Sequence, residues 1–257
     1  MLLTAGEIVA KSWREYRENF HAWAIFGFII FVPTFVLTLS GTFGGFLNVY
    51  LPATTIMTNV LIVIIAVASA VLGFWSSLAL ISAVIKYLQT KKTDHFKEHY
   101  SAAFTLIWPA FYTSLLVALF VLGGTILFII PGIIVSIWYH FSVYNMFTSG
   151  EKGFAALESS KKLVRGRWWS VAWRILVPAV IVGLGVILVQ LVIDGVLRVL
   201  PVSAESYKVL GNIAQALVSS MIAPLSTLVS LNLFFSLRDN PFREPPILLA
   251  SEPPEDK

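Results

Sequence analysis

The chain has 257 residues, 57% of them hydrophobic and only 12% charged, with a mean hydropathy of +0.82; a soluble domain carries roughly a quarter charged residues, so a conventional soluble fold is excluded and lipid replaces the usual core. The formal charge of +4 does not point to nucleic acid, because the basic residues sit at the ends of apolar segments rather than in one patch. The sequence has no cysteine, which excludes disulfides, thiolate metal sites and cysteine nucleophiles.

In chain order, residues 4–20 read first as an amphipathic helix. Thr4 and Glu7 have capping-box spacing, while Val9, Trp13, Tyr16 and Phe20 form an apolar stripe opposite Lys11, Arg14 and Glu18. Such a helix lies in a membrane interface with its stripe toward the acyl chains. Six long apolar runs follow, at about 22–41, 59–88, 105–124, 125–147, 169–193 and 207–237. Each approaches or exceeds the roughly 20 residues a helix needs to span hydrocarbon. No small-residue cleavage site follows the first run, so it is expected to be retained.

Runs three and four are nearly continuous. Either Gly123-Gly124 forms their turn, or the third helix continues to Ile130 and Pro131 opens the fourth. Amphipathic stretches at 93–104 and 153–165 precede the third and fifth runs as 4–20 precedes the first. The pattern suggests three copies of interfacial helix, span, turn and span. Residues 1–240 thus form an all-α six-span membrane domain with interfacial helices on one side. Residues 241–257, rich in proline and acidic side chains, read as a disordered cytoplasmic tail.

Orientation follows from lysine and arginine, which are retained on the cytoplasmic side of short loops. Sixteen of the eighteen flank the connections shared by the two termini, and only Arg198 and Lys208 fall on the other side. The expected arrangement is a multi-pass protein of the cell membrane with both termini cytoplasmic. Trp13, Trp23, Trp108, Trp138, Trp168, Trp169 and Trp173 fall near the same side, as an aromatic belt does, while Trp75 lies inside a span.

The stretches Ile130-Pro131-Gly132-Ile133-Ile134, Ala156-Leu157-Glu158-Ser159-Ser160 and Leu163-Val164-Arg165-Gly166-Arg167-Trp168-Trp169 resemble the membrane domain attached to glycerophosphodiester phosphodiesterases and the related YciC-like and DUF975-like multi-pass proteins of bacteria and archaea. Ser12-Trp13-Arg14-Glu15-Tyr16-Arg17 and Leu233-Phe234-Phe235-Ser236-Leu237-Arg238 resemble that group's edges. The sequence departs from the group at Trp138-Tyr139-His140, where an arginine is frequent, and at Ser236, where an acidic residue is common. The resemblance implies fold and location more than activity. The catalytic barrel of the phosphodiesterases has no counterpart in these residues, where no strand pattern alternates with the helices.

Four sets of polar residues and one seam of small residues invite a functional or packing reading. His95-Phe96-Lys97-Glu98-His99 has the spelling of an inverted zinc-protease motif, yet reads better as part of a short basic juxtamembrane helix, so no metal and no cofactor are expected. Asp194 and Arg198, with Gln190 one turn before, read as an interfacial ion pair, the alternative being a substrate or ion site. Asn212, Gln215, Ser219, Ser226 and Ser230 share one face of the sixth span and serve either helix packing or a polar pathway. Ala66, Ala70, Gly73 and Ser77 suggest a close-packing seam on the second span. Lys161, Lys162, Arg165, Arg167 and Arg174 are candidates for contact with anionic lipid.

No Walker A loop, dinucleotide fingerprint, nucleophile elbow or enclosed carboxylate pair is present, so no catalytic residues are expected. The leading expectation is a noncatalytic integral membrane protein, concerned with envelope or lipid organisation, whose partners are membrane lipids and not nucleic acid. A small transporter or channel using the sixth-span stripe is the second reading, and a lipid-modifying enzyme the third.

Overall fold

Backbone N–H and C=O groups find no partners in hydrocarbon, so an apolar segment of this length must close its hydrogen bonds internally as a helix. A computed structural model describes residues 2–92, 96–201 and 203–242, and among these all regular structure is helical. Helix α1 spans Ala5–Glu18, α2 Phe20–Tyr50, α3 Thr55–Thr90, α4 Phe96–Leu127, α5 Ile129–Tyr139, α6 Ser142–Ser149, α7 Phe154–Val164, α8 Trp168–Val199 and α9 Ala204–Asp239. A single 3-10 turn, Pro52–Thr54, joins α2 to α3. Six stretches are long and apolar enough to cross a membrane: α2, α3 with its preceding turn, α4, α5 continued by α6, α8 and α9. The protein is an all-α polytopic membrane bundle.

The helices α2, α3, α8 and α9 run for 31 to 36 residues, or about 46–54 Å at 1.5 Å per residue. They exceed the roughly 30 Å hydrocarbon layer and project beyond it or tilt within it. Helix α9 is the axis of the bundle and packs against α1, α2, α3 and α8. Its second half is enclosed, with Leu228, Leu231, Phe234 and Leu237 inaccessible. Large apolar side chains on α3 and α8, such as Ile56, Val63, Leu188 and Val192, are instead exposed. In water they would form an untenable surface; in lipid they are the outer wall.

Contacts between helix ends gather the basic segments at one end of the bundle. The Leu3 amide donates to Ser236 Oγ at 3.1 Å, Lys91 reaches Glu15, Lys86 reaches Glu98, and Arg167 reaches the last carbonyls of α9. The α2–α3 and α8–α9 connections lie at the opposite end.

Several sequence expectations need correction. Helix α4 passes straight through Gly123-Gly124 to Leu127 and the chain turns at Phe128, whose backbone is extended at φ −163°, ψ 153°. Pro131 is the third residue of α5 rather than its first. The glycines allow the hairpin to close tightly, since a Cβ on Gly124 would stand 3.1 Å from the Gly132 nitrogen. The start near 105 is also too late. Residues 96–104 are the first turns of α4, because Trp75 donates to the Tyr100 carbonyl at 3.0 Å and His99 meets Ser82 at 3.2 Å, fixing that stretch against α3. It is therefore no separate interfacial helix, and the middle unit of the suggested repeat departs from the outer two.

The fourth span, expected to be continuous over 125–147, is broken between α5 and α6. Ser160 Oγ of α7 repairs the break, donating to the Trp138 carbonyl at 2.7 Å and accepting from the Phe141 amide at 3.1 Å. The seam expected on α3 is not a packed seam either: Ala70 and Ser77 are exposed, and a Cβ on Gly73 would meet no atom within 4 Å. Close approach occurs at Gly27 instead, where a Cβ would lie 2.9 Å from the Ser220 carbonyl oxygen of α9. The expected tail falls on 243–257, outside the described residues, apart from its first two positions.

Candidate functional site

Helix α1 starts as its capping box requires, with Thr4 Oγ1 accepting from the Glu7 amide at 3.2 Å and Glu7 accepting from the Thr4 amide at 2.7 Å. The Thr4 amide, together with the Thr4 hydroxyl donating to the same carboxylate oxygen at 2.9 Å, holds the Glu7 carboxyl below its ordinary pKa. Val9, Trp13 and Tyr16 line an apolar hollow with Ile181 and Val189 of α8; of the predicted stripe Trp13 and Phe20 remain half exposed, while Tyr16 is buried in the bundle. The adjoining face, about 100° around the helix, carries an unpredicted feature. Ile8, Ser12 and Glu15 are buried against α9.

Asn232 Nδ2 donates to Ser12 Oγ at 3.0 Å and to Glu15 Oε2 at 2.8 Å. Lys91 Nζ donates to Glu15 Oε1 at 2.6 Å while lying 5.1 Å from the centre of the Tyr87 ring. Each oxygen of a carboxylate only 7% exposed thus has a donor, which is what makes its burial tolerable. Lys91 is also the left-handed residue that ends α3, with φ 58°. Tyr16 donates to the Met221 carbonyl at 2.8 Å, and burial raises its hydroxyl's pKa. Trp23, expected in the aromatic belt, is 1% exposed and donates to the Glu15 carbonyl at 3.3 Å.

Spacing alone does not reveal this knot, because Asn232 lies two residues from Ser230, about 200° away around the helix, and so off the stripe. A lone asparagine in the run Val229 to Leu237 was nevertheless a signal, since buried polar groups in a span need partners.

The predicted stripe divides between two cavities. Asn212, Gln215 and Ser219 line one of about 400 Å³ against Ile30 and Thr34 of α2. Ser219, Ser226 and Ser230 line another of about 380 Å³ against α8, where Pro178, Val182 and Gly183 form the facing wall and Arg174 and His140 also contribute. Ser219 borders both. Ser230 also meets the Tyr144 hydroxyl of α6.

The Asp194–Arg198 ion pair is not formed among the described residues. Asp194 accepts from Gln190 Nε2 at 3.0 Å, and Arg198 bonds to Tyr207. One helical turn sets the two within reach, but each side chain has a nearer polar partner.

The five candidates for lipid contact have different fates. Lys161 lies 4.6 Å from the centre of the Trp138 ring, and Lys162 pairs with Glu158 at 2.9 Å on an exposed face. Their mutual bond lowers the Glu158 pKa and raises that of Lys162. Arg165 is exposed beside a hollow formed by Trp138, Trp168 and Trp169. Arg167 turns inward, donating to the carbonyls of Leu163 at 2.9 Å, Leu237 at 2.8 Å and Asn240. It caps the C-terminus of α9, whose last carbonyls have no helical partners, and burial lowers its pKa. Arg174 donates through Nε to the Leu3 carbonyl at 2.7 Å and through Nη1 to the Ser170 carbonyl at 2.9 Å and to Ser170 Oγ.

His95 lies outside the described residues; His99 is buried with Ser82, its ring tilted 58° to that of Phe26. Among the described residues no three histidine, aspartate or glutamate side chains gather as a metal site would require. Fold and site together define a six-crossing integral membrane protein whose polar interior follows one axial helix. No family model, curated protein or solved structure matches the chain.

Proposed function

We propose that this is a noncatalytic multi-pass protein of the cell membrane, with both termini in the cytoplasm, that binds and organises anionic lipids of its own bilayer. The observation that carries the reading is the chemistry of the basic end. Exposed Trp169 shares a hollow with Arg165, and Lys161 lies over the Trp138 ring, so aromatic rings suited to the headgroup layer accompany cations that each attract anionic lipid by about 1 kcal/mol. The location of sixteen basic residues on one side supports the cytoplasmic orientation.

The resemblance to the phosphodiesterase membrane domain fits this reading. Its Pro-Gly stretch forms the tight α4–α5 hairpin and its Arg-Gly-Arg-Trp-Trp stretch includes the Arg167 cap, so the shared residues do structural work rather than chemistry. The test is the phospholipid that the purified full-length protein carries out of the membrane. Enrichment of anionic headgroups over the bulk composition is expected; the bulk composition would overturn the reading.

A second reading, transport of a small solute, is favoured by one observation, the sharing of Ser219 between the two cavities along α9. Solute flux into proteoliposomes, abolished by Ser219→Leu, would establish it.

A further inference from the structure

Arg174 differs from Lys91, Lys162 and Arg167 at the same end of the bundle. Lys91 and Lys162 have carboxylate partners, and Arg167 is spent on the end of α9. Arg174 makes its bonds through Nε and Nη1 alone, to acceptors that carry no formal charge, and among the described residues neither an acceptor for Nη2 nor a carboxylate within ion-pair distance is found. Those bonds hold the guanidinium against Leu3, just before α1, and the first turns of α8, while the residue also borders the α8–α9 cavity.

From Arg174 the cavity runs along one face of α8 to Val186, twelve residues or about 18 Å of helix. That matches the roughly 15 Å hydrocarbon depth of a single leaflet. Its walls are largely apolar, and its volume of about 380 Å³ falls in the range of roughly 300–1,000 Å³ typical of ligand sites. On the α9 side Ser230, Ser226 and Ser219 line it in that order away from Arg174, among apolar neighbours such as Ile222, Val229 and Leu233. Gly183 opens the wall, since a Cβ there would meet no atom within 4 Å.

A fixed cation at headgroup depth, hydroxyls beneath it and an apolar slot one leaflet deep have the order of charge found along a phospholipid. We propose that the α8–α9 cavity binds one anionic glycerophospholipid, with its phosphate on Arg174, its ester carbonyls near Ser226 and Ser230, and one acyl chain beside Pro178 and Gly183. The proposal rests on the lipid-organising reading and assigns it a defined site.

The experiment measures lipid binding to the full-length protein by native mass spectrometry, titrating dioleoylphosphatidylglycerol, dioleoylphosphatidylcholine and inorganic phosphate separately. The wild type is expected to retain one phosphatidylglycerol more tightly than any phosphatidylcholine, with inorganic phosphate unable to displace it. Arg174→Gln is expected to weaken that lipid by roughly tenfold or more, as loss of a charged hydrogen bond does, and Arg174→Lys to recover part of it. Gly183→Leu, which leaves every polar contact of Arg174 in place, should expel the chain and lower affinity comparably; it keeps the test decisive if Arg174→Gln does not fold. Phosphatidylglycerol preference that survives both variants but falls with Lys161→Gln and Arg165→Gln overturns this site while leaving the lipid reading intact. Displacement by inorganic phosphate at equal concentration overturns it in favour of a simple anion site. Absence of headgroup preference in the wild type overturns both.

Discussion

The Asn232 side-chain amide, near the end of the last span, donates to the Glu15 carboxylate of the first helix at 2.8 Å, across 217 residues of sequence. Lys91 closes on the other carboxylate oxygen, so one buried anion ties α1, α3 and α9 together. An unpaired anion there would be costly; with both oxygens satisfied it selects a single placement of α1 on the bundle.

Asn232→Leu removes a donor and leaves Glu15 Oε2 without one. A loss of about 1–3 kcal/mol follows from exposing a buried acceptor to an apolar neighbour. Thermal unfolding in detergent should show a lowered midpoint, and Asn232→Leu combined with Glu15→Leu should recover part of it, because the apolar pair leaves no carboxylate to satisfy.

Gly27→Ala would force a methyl group to 2.9 Å from the Ser220 carbonyl oxygen and 3.2 Å from Met221 Cα, both backbone atoms of α9. Overpacking of this kind costs about 1–3 kcal/mol. Gly41→Ala, on the same helix with no atom within 4 Å, should be neutral or slightly stabilising. Equal effects of the two in a stability assay would contradict the α2–α9 approach.

Arg167 and Arg165, two residues apart, should separate cleanly. Arg167→Ala uncaps α9 and is expected to lower stability by about 1.5–3 kcal/mol, with Arg167→Lys failing to restore it because an ammonium lacks the planar fork. Arg165→Ala should leave unfolding unchanged and reduce enrichment of anionic lipid, read by mass spectrometry of co-purified lipid.

The start of α1 should depend on pH. The Glu7 pKa is lowered by its bonds to Thr4 from an ordinary value near 4.5, so the folded helix start binds the proton less readily than the unfolded chain. Its contribution is complete above that ordinary value and is lost as pH falls through the lowered folded value. Hydrogen exchange at the first turn of α1 should therefore accelerate under acid, and Glu7→Gln should flatten that response.

The long apolar runs made six helices legible in the sequence, because a chain in hydrocarbon has few alternatives. The Thr4–Glu7 box was equally plain, being a local interaction between residues three apart. Boundaries were less so. Gly123-Gly124 reads as a turn in isolation, but glycine is tolerated in a spanning helix where a neighbour approaches closely, as α5 does here. The stripe on α9 follows from periodicity within one helix, which is blind to its division between two cavities because that depends on the neighbouring helices α2 and α8. Asn232 and Ser160 act through partners on distant helices, and no spacing rule within one segment reveals them. Asp194 and Arg198 show the converse: a favourable i, i+4 spacing offered a pair, and Gln190 and Tyr207 took the two side chains instead.

The proposed arrangement, a six-crossing bundle with its basic end and both termini in the cytoplasm, can be measured directly because the sequence has no native cysteine. Single cysteines placed at Thr54, Ser206, Glu151 and Asn240 would be challenged in intact cells with a membrane-impermeant maleimide. Labelling of Thr54→Cys and Ser206→Cys in intact cells, with Glu151→Cys and Asn240→Cys reacting only after permeabilisation, is the predicted result. Labelling of Asn240→Cys from outside, or of Glu151→Cys together with Thr54→Cys, would contradict it.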